Sequence, residues 1–151
     1  MEKFESADAI LDFAIQREQE AQAFYQELAG KVQGQAMQKL LMDFVAQEAR
    51  HEAKLKGVKQ GRKALGAGGQ VPDLKVSLYL AKAEPTRDMD YQDALMVAMQ
   101  RERAAFALYT DLAAITDDAE LQEVFNALAQ EEAKHKLFLE REYDDHIYSE
   151  N

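Results

Sequence analysis

At 151 residues the chain is long enough for one domain with a buried core, and at 47% hydrophobic it is too apolar for a disordered polymer. It has no cysteine, which excludes disulfides, thiolate zinc sites and iron–sulfur clusters within this sequence. Its net charge of −10 repels phosphate backbones, so no nucleic-acid partner is expected. Its apolar runs fall far short of the ~20 residues of a bilayer span, so no membrane partner is expected either.

The N-terminal residues lead directly into a periodic segment without an apolar signal block, so a cytoplasmic location is expected. The first predicted helix runs from about Ser6 to Ala29, capped by Ser6 and ended by Gly30. Ile10, Leu11, Ala14, Ile15, Ala21, Tyr25 and Leu28 form its apolar stripe. The second runs from about Gln35 to Lys56, with Gly57 as its stop and Met37, Leu40, Leu41, Phe44, Val45 and Leu55 on its stripe. These two make a hairpin over residues 6–57.

Residues 58–89 are Gly-rich at first and then carry Val76 to Ala81. So long a connection fits a crossover from one end of a bundle to the other, which needs at least ~11 extended residues. The Leu78 segment fits either a short helix or a strap. A second hairpin follows over residues 90–143. Asp90 caps its first helix, whose stripe is Leu95, Met99, Phe106, Tyr109 and Leu112. Thr116 or Asp117 caps its second, with Glu120 placed for a capping box with Asp117. Leu121, Val124, Phe125, Leu128 and Leu139 carry that helix to about Tyr143. The tail, 144–151, is expected to fray.

The two hairpins repeat each other. Glu18, Tyr25, Glu48 and His51 recur as Glu102, Tyr109, Glu132 and His135, each 84 positions on. Ala14 to Glu18 reads against Ala98 to Glu102, and Leu11, Ala21, Ala23, Leu28 and Ala29 have identical counterparts. A duplicated helical hairpin, and so an all-α antiparallel four-helix bundle with an approximate twofold axis, accounts for this.

The repeated carboxylates fall within the apolar stripes. Charge on a core face is costly unless it is paired or coordinated. Counting along an antiparallel hairpin puts Glu18 level with Glu48, and Glu102 level with Glu132, so all four meet near mid-bundle. Four carboxylates and two imidazoles need a shared compensating charge, which two metal ions supply. One hard oxygen and one imidazole from each Glu-x-x-His suit iron or manganese and would accept zinc. Glu20, Glu52 and Glu131 read as solvated charge, and His146 as part of the tail. The methionines read as core filler, and the glycines from Gly66 to Gly69 lack the context of a phosphate loop.

A Glu from each of two helices with a Glu-x-x-His from each of the other two is the ligand pattern of ferritin-like di-iron proteins. On these motifs the chain resembles the ferritin-like superfamily, most closely the rubrerythrin-type proteins, over all four helices. The resemblance implies two iron ions. Glu18 and His51 would be terminal ligands of one and Glu102 and His135 of the other, with Glu48 and Glu132 bridging. It gives Tyr25 and Tyr109 hydrogen bonds to the ligand carboxylates. It further implies an oxidoreductase reacting with O₂ or hydrogen peroxide, ferroxidase-like or peroxidase-like. The alternative is a non-enzymatic iron-binding or storage protein. A homo-oligomer, a dimer before others, is expected.

Two departures narrow the expectation. Without cysteine this sequence holds no rubredoxin site, so electrons come from an external donor or from ferrous iron itself. Rubrerythrins also carry an extra glutamate on the third helix that takes part in redox-linked iron movement. Three residues after Glu102 this chain has Ala105.

Overall fold

Ser6 Oγ accepts the Ala9 amide hydrogen at 3.0 Å, and Asp90 Oδ1 accepts that of Asp93 at 2.8 Å, so both expected caps are in place. The computed structural model describes residues 6–61, residue 79 and residues 90–150. These form four helices: α1 (Ala7–Lys31), α2 (Gln35–Gly61), α3 (Tyr91–Ile115) and α4 (Ala119–Glu150).

Four boundaries differ from the sequence reading. α1 continues through Gly30 to Lys31, where the Val32 amide closes the last turn on the Leu28 carbonyl at 3.2 Å. α2 continues through Gly57 to Gly61. A glycine permits a helix to stop without requiring it, and neither Gly30 nor Gly57 adopts a positive φ. α4 is capped by Asp118, whose Oδ1 accepts from the Leu121 amide at 3.1 Å, while Thr116 closes α3 instead. α4 also runs to Glu150 rather than fraying at Tyr143. Its extension carries His146 edge-on against the Tyr91 ring, with centroids 5.2 Å apart.

Two apolar clusters show how the helices run. One joins Ile10, Leu11 and Ala14 of α1 to Leu55 of α2, Leu108 and Leu112 of α3, and Leu121, Phe125 and Leu128 of α4. The other joins Tyr25 and Leu28 to Leu41 and Phe44, Ala94 and Leu95, and Leu139. The start of α1 thus lies beside the end of α2, the end of α3 and the start of α4. α1 is antiparallel to α2 and α3, and parallel to α4.

Among the described residues α1 packs on α2 and α3 on α4, and the hairpins meet through α1–α3 and α2–α4. Consecutive α2 and α3 therefore stand on a diagonal, and α3 begins at the end of the bundle opposite to where α2 stops. A helix of this length spans ~37 Å, so the end of α2 and the start of α3 stand about that far apart. The path of 62–78 and 80–89, including the Leu78 segment, lies outside the described residues. Tyr79 itself is buried in the first cluster and donates to Asp111 Oδ2 of α3 at 2.7 Å.

Most of the predicted stripe is core. The exposed exception is Phe106, and two of the methionines read as core filler, Met42 and Met96, are likewise about 40% exposed. Met37 and Met99 are partly buried against the second cluster, and Met89 lies outside the described residues.

A candidate metal centre between the two cores

Between the two clusters lies a polar layer. Glu18 of α1, Glu48 and His51 of α2, Glu102 of α3, and Glu132 and His135 of α4 are each no more than 3% exposed. Helical phase puts them there. Glu18 lies one turn after Ile15 and two before Tyr25, Glu48 one turn after Phe44, and the histidines one turn further on. The sequence-predicted set is brought together complete.

The six side chains form two overlapping groups. Glu18, Glu48, His51 and Glu132 can each offer an atom to one ion, and Glu48, Glu102, Glu132 and His135 to another. Within each group the ligand atoms lie within 4.8 Å of one another. Glu48 and Glu132 belong to both, the position a bridge requires. Around His51 Nδ1, the Glu132 Oε1, Glu18 Oε2 and Glu48 Oε1 atoms stand at 2.8, 3.5 and 3.8 Å. Around His135 Nδ1, Glu48 Oε1 and Glu102 Oε1 stand at 3.0 and 3.7 Å.

Each of the six residues keeps one buried atom that makes no hydrogen bond: Glu18 Oε2, Glu48 Oε1, His51 Nδ1, Glu102 Oε2, Glu132 Oε1 and His135 Nδ1. Buried polar atoms are ordinarily satisfied, and an orphan costs about 1–3 kcal/mol. Six orphans converging from four helices fit a hard cation as their common partner. The remaining atoms are held. The Tyr109 hydroxyl donates to Glu18 Oε1 at 2.5 Å, and the Tyr25 hydroxyl donates to Glu102 Oε1. Each tyrosine thus serves the glutamate of the other hairpin.

Burial, reinforced by the charge of Glu102, pushes Glu48 and Glu132 well above the usual carboxylate range. Burial, then the facing carboxylates, raises Tyr25 and Tyr109 far above their ordinary value, so both remain donors. Burial alone would also raise Glu102. The neighbouring Glu132 and His135 side chains, with the Tyr25 hydroxyl that donates to it, outweigh that and hold Glu102 low. His51 is pulled down by burial, but Glu18 and then Glu131 outweigh that and hold it up. The layer without metal is therefore a set of carboxylates competing for protons.

Two further residues touch the histidines. Glu131 meets His51 Nε2, and Gln47 Oε1 accepts from His135 Nε2 at 2.7 Å. Glu131 had read as solvated charge and Gln47 had not been singled out; the repeat could have found them, since they too are 84 apart. Glu52 is held by Gln19, Gln22 and Lys56, which lower it to about 2. Glu20 pairs with Arg17 at 3.1 Å. Ala105, where a third-helix glutamate would stand, is partly buried against the first apolar cluster.

Four antiparallel helices with this buried carboxylate–histidine layer define a ferritin-like bundle. The rubrerythrin family model matches residues 9–143, and the chain belongs to that family. Among solved structures it is similar to a Thermotoga maritima protein described as ferritin-like and diiron-carboxylate. That match has a TM-score of 0.77 and 20% identity, covering 95% of this chain and 98% of that one. It is also similar to a hypothetical protein of Pyrococcus furiosus, with a TM-score of 0.69 and 25% identity over 89% of this chain and 86% of that one. No curated protein matches the chain significantly. Among the described residues no helix is long and apolar enough to cross a membrane.

Proposed function

We propose that the chain binds two iron ions in this layer and is an oxidoreductase whose reduced centre reacts with O₂ or hydrogen peroxide. The observation that carries the reading is the pair of overlapping ligand groups, with one unpartnered buried atom on each of six residues. Glu18 and His51 would hold one ion and Glu102 and His135 the other, with Glu48 and Glu132 shared between them. Oxygen-rich sites with one imidazole per metal suit iron, and manganese also satisfies them. Iron held there would supply the reducing electrons for O₂ or hydrogen peroxide.

The protein's own part is positional. Tyr25 and Tyr109 fix the free rotation of Glu102 and Glu18, which keeps each terminal carboxylate aimed at its ion. The apolar clusters above and below keep bulk water from the layer. A hollow of about 330 Å³ between α2 and α4 borders His51 and Glu131, wide enough for a diatomic or a peroxide to approach. Electrons are returned by a separate donor or by ferrous iron itself.

The test is rapid mixing of anaerobically Fe²⁺-loaded protein with each oxidant, followed by absorbance. The expected result is oxidation faster than that of free Fe²⁺ with one oxidant or both. No acceleration with either overturns the reading.

A further inference from the structure

The repeat that builds the layer is broken around the two histidines. Gln47 and Glu131 occupy equivalent positions, each immediately before a bridging glutamate, and each reaches across to the histidine of the other hairpin. The placement is symmetric but the chemistry is not. His51 Nε2 has a carboxylate as its acceptor, whereas His135 Nε2 has a neutral amide at 2.7 Å. A second difference stands beside the first. The His135 ring stacks on Phe44, with centroids 4.1 Å apart and planes at 24°. The equivalent of Phe44 in the other half is Leu128, which lines the hollow together with His51 and Glu131.

In both histidines Nδ1 faces the layer and Nε2 faces the partner. An acceptor on Nε2 fixes the tautomer that leaves the Nδ1 lone pair free for a metal. A carboxylate acceptor also pushes electron density towards Nδ1, which an uncharged amide does much less. It adds a negative charge close to one ion only.

We propose that Glu131 and Gln47 are positioning residues that make the two metal positions unequal, so that the position on Glu18 and His51 binds its ion more tightly and fills first. This rests on the two-metal reading of the layer.

The test is anaerobic calorimetric titration of the metal-free full-length chain with Co²⁺, with the Co²⁺ visible spectrum recorded after each addition. Wild type should show two resolved binding steps. Glu131→Gln should weaken the first about 10- to 100-fold, bringing it towards the second. Gln47→Glu should tighten the second towards the first, a gain that a merely damaged fold does not produce. Two indistinguishable steps in wild type, or a Glu131→Gln variant with both steps unchanged, overturn the inequality while leaving the metal centre intact. Absence of any stoichiometric Co²⁺ binding to wild type overturns the metal centre itself, and the inequality with it.

Discussion

Glu48 and Glu132 illustrate the tension between stability and chemistry at a single residue. Both are buried to within 2% of complete, lie against other carboxylates, and hold their protons well above the usual range. Replacing either by glutamine keeps the shape and removes a carboxyl that burial forces to hold its proton. We expect Glu48→Gln or Glu132→Gln to raise the stability of the metal-free protein, by up to about 1–4 kcal/mol, in chemical denaturation. The same substitutions should cut metal binding sharply, because each residue belongs to both ligand groups. Glu18→Gln should spare one of two equivalents in a stoichiometric titration. The same protons set the pH dependence. Above about pH 4.5 the unfolded chain releases protons that folded Glu48 and Glu132 retain, so their contribution to stability falls as pH rises. His51, held up by its partners, acts in the same sense, losing its contribution as pH passes its folded value. Glu102, held low, contributes a term already complete by pH 5 that is lost only in stronger acid. The metal-free protein should therefore melt at a lower temperature at pH 8 than at pH 5, as followed by circular dichroism.

At the scale of the helices, the tyrosines carry the most information. Tyr25 of α1 serves Glu102 of α3, and Tyr109 of α3 serves Glu18 of α1. Each bond spans the seam between hairpins, where α1 and α3 touch only lightly compared with the packing inside each hairpin. Tyr109→Phe leaves Glu18 Oε1 without its donor. We expect about a tenfold loss of metal affinity by calorimetry, with a loss of stability of about 1–3 kcal/mol in the metal-free form. The spacing of Tyr25 and Glu18 puts them on one face of α1, and the family resemblance implies a bond to a ligand carboxylate. Which glutamate each tyrosine meets was not, because periodicity reports the face of a helix and not what stands opposite it. The same limit hid Glu131 and Gln47, which look outward-facing when α4 and α2 are read alone. Helix ends were legible where a side chain makes the cap, as at Ser6 and Asp90. Glycine alone is a poor stop signal, since Gly30 and Gly57 keep helical backbone.

For the whole molecule, the 84-residue repeat makes the bundle and its buried carboxylate–histidine layer readable in the sequence. A duplicated hairpin with charges at matched depth has few ways to bury both its stripes and its carboxylates. The diagonal placement of α2 and α3 followed less directly, from the length of the chain between them. Phe106, Met42 and Met96 show the remaining error: an apolar residue at the margin of a stripe can face solvent. Metal should act on stability as a ligand of the native state alone. At a free concentration a hundred times its Kd it adds about 3 kcal/mol. Addition of Fe²⁺ or Mn²⁺ under anaerobic conditions should raise the melting temperature, and a chelator should return it to the metal-free value.

The ligand layer is also a fastener. Neither hairpin owns a complete group: each ion would take three residues from one half of the chain and its fourth, a bridging glutamate, from the other. Loss of metal would therefore remove a clamp between two halves whose own apolar packing is mostly internal to each hairpin. The seam along α1 and α3 becomes the natural line of parting. Amide exchange should quicken first along that seam when the protein is stripped, which would mark empty copies for proteolysis before any helix has come undone.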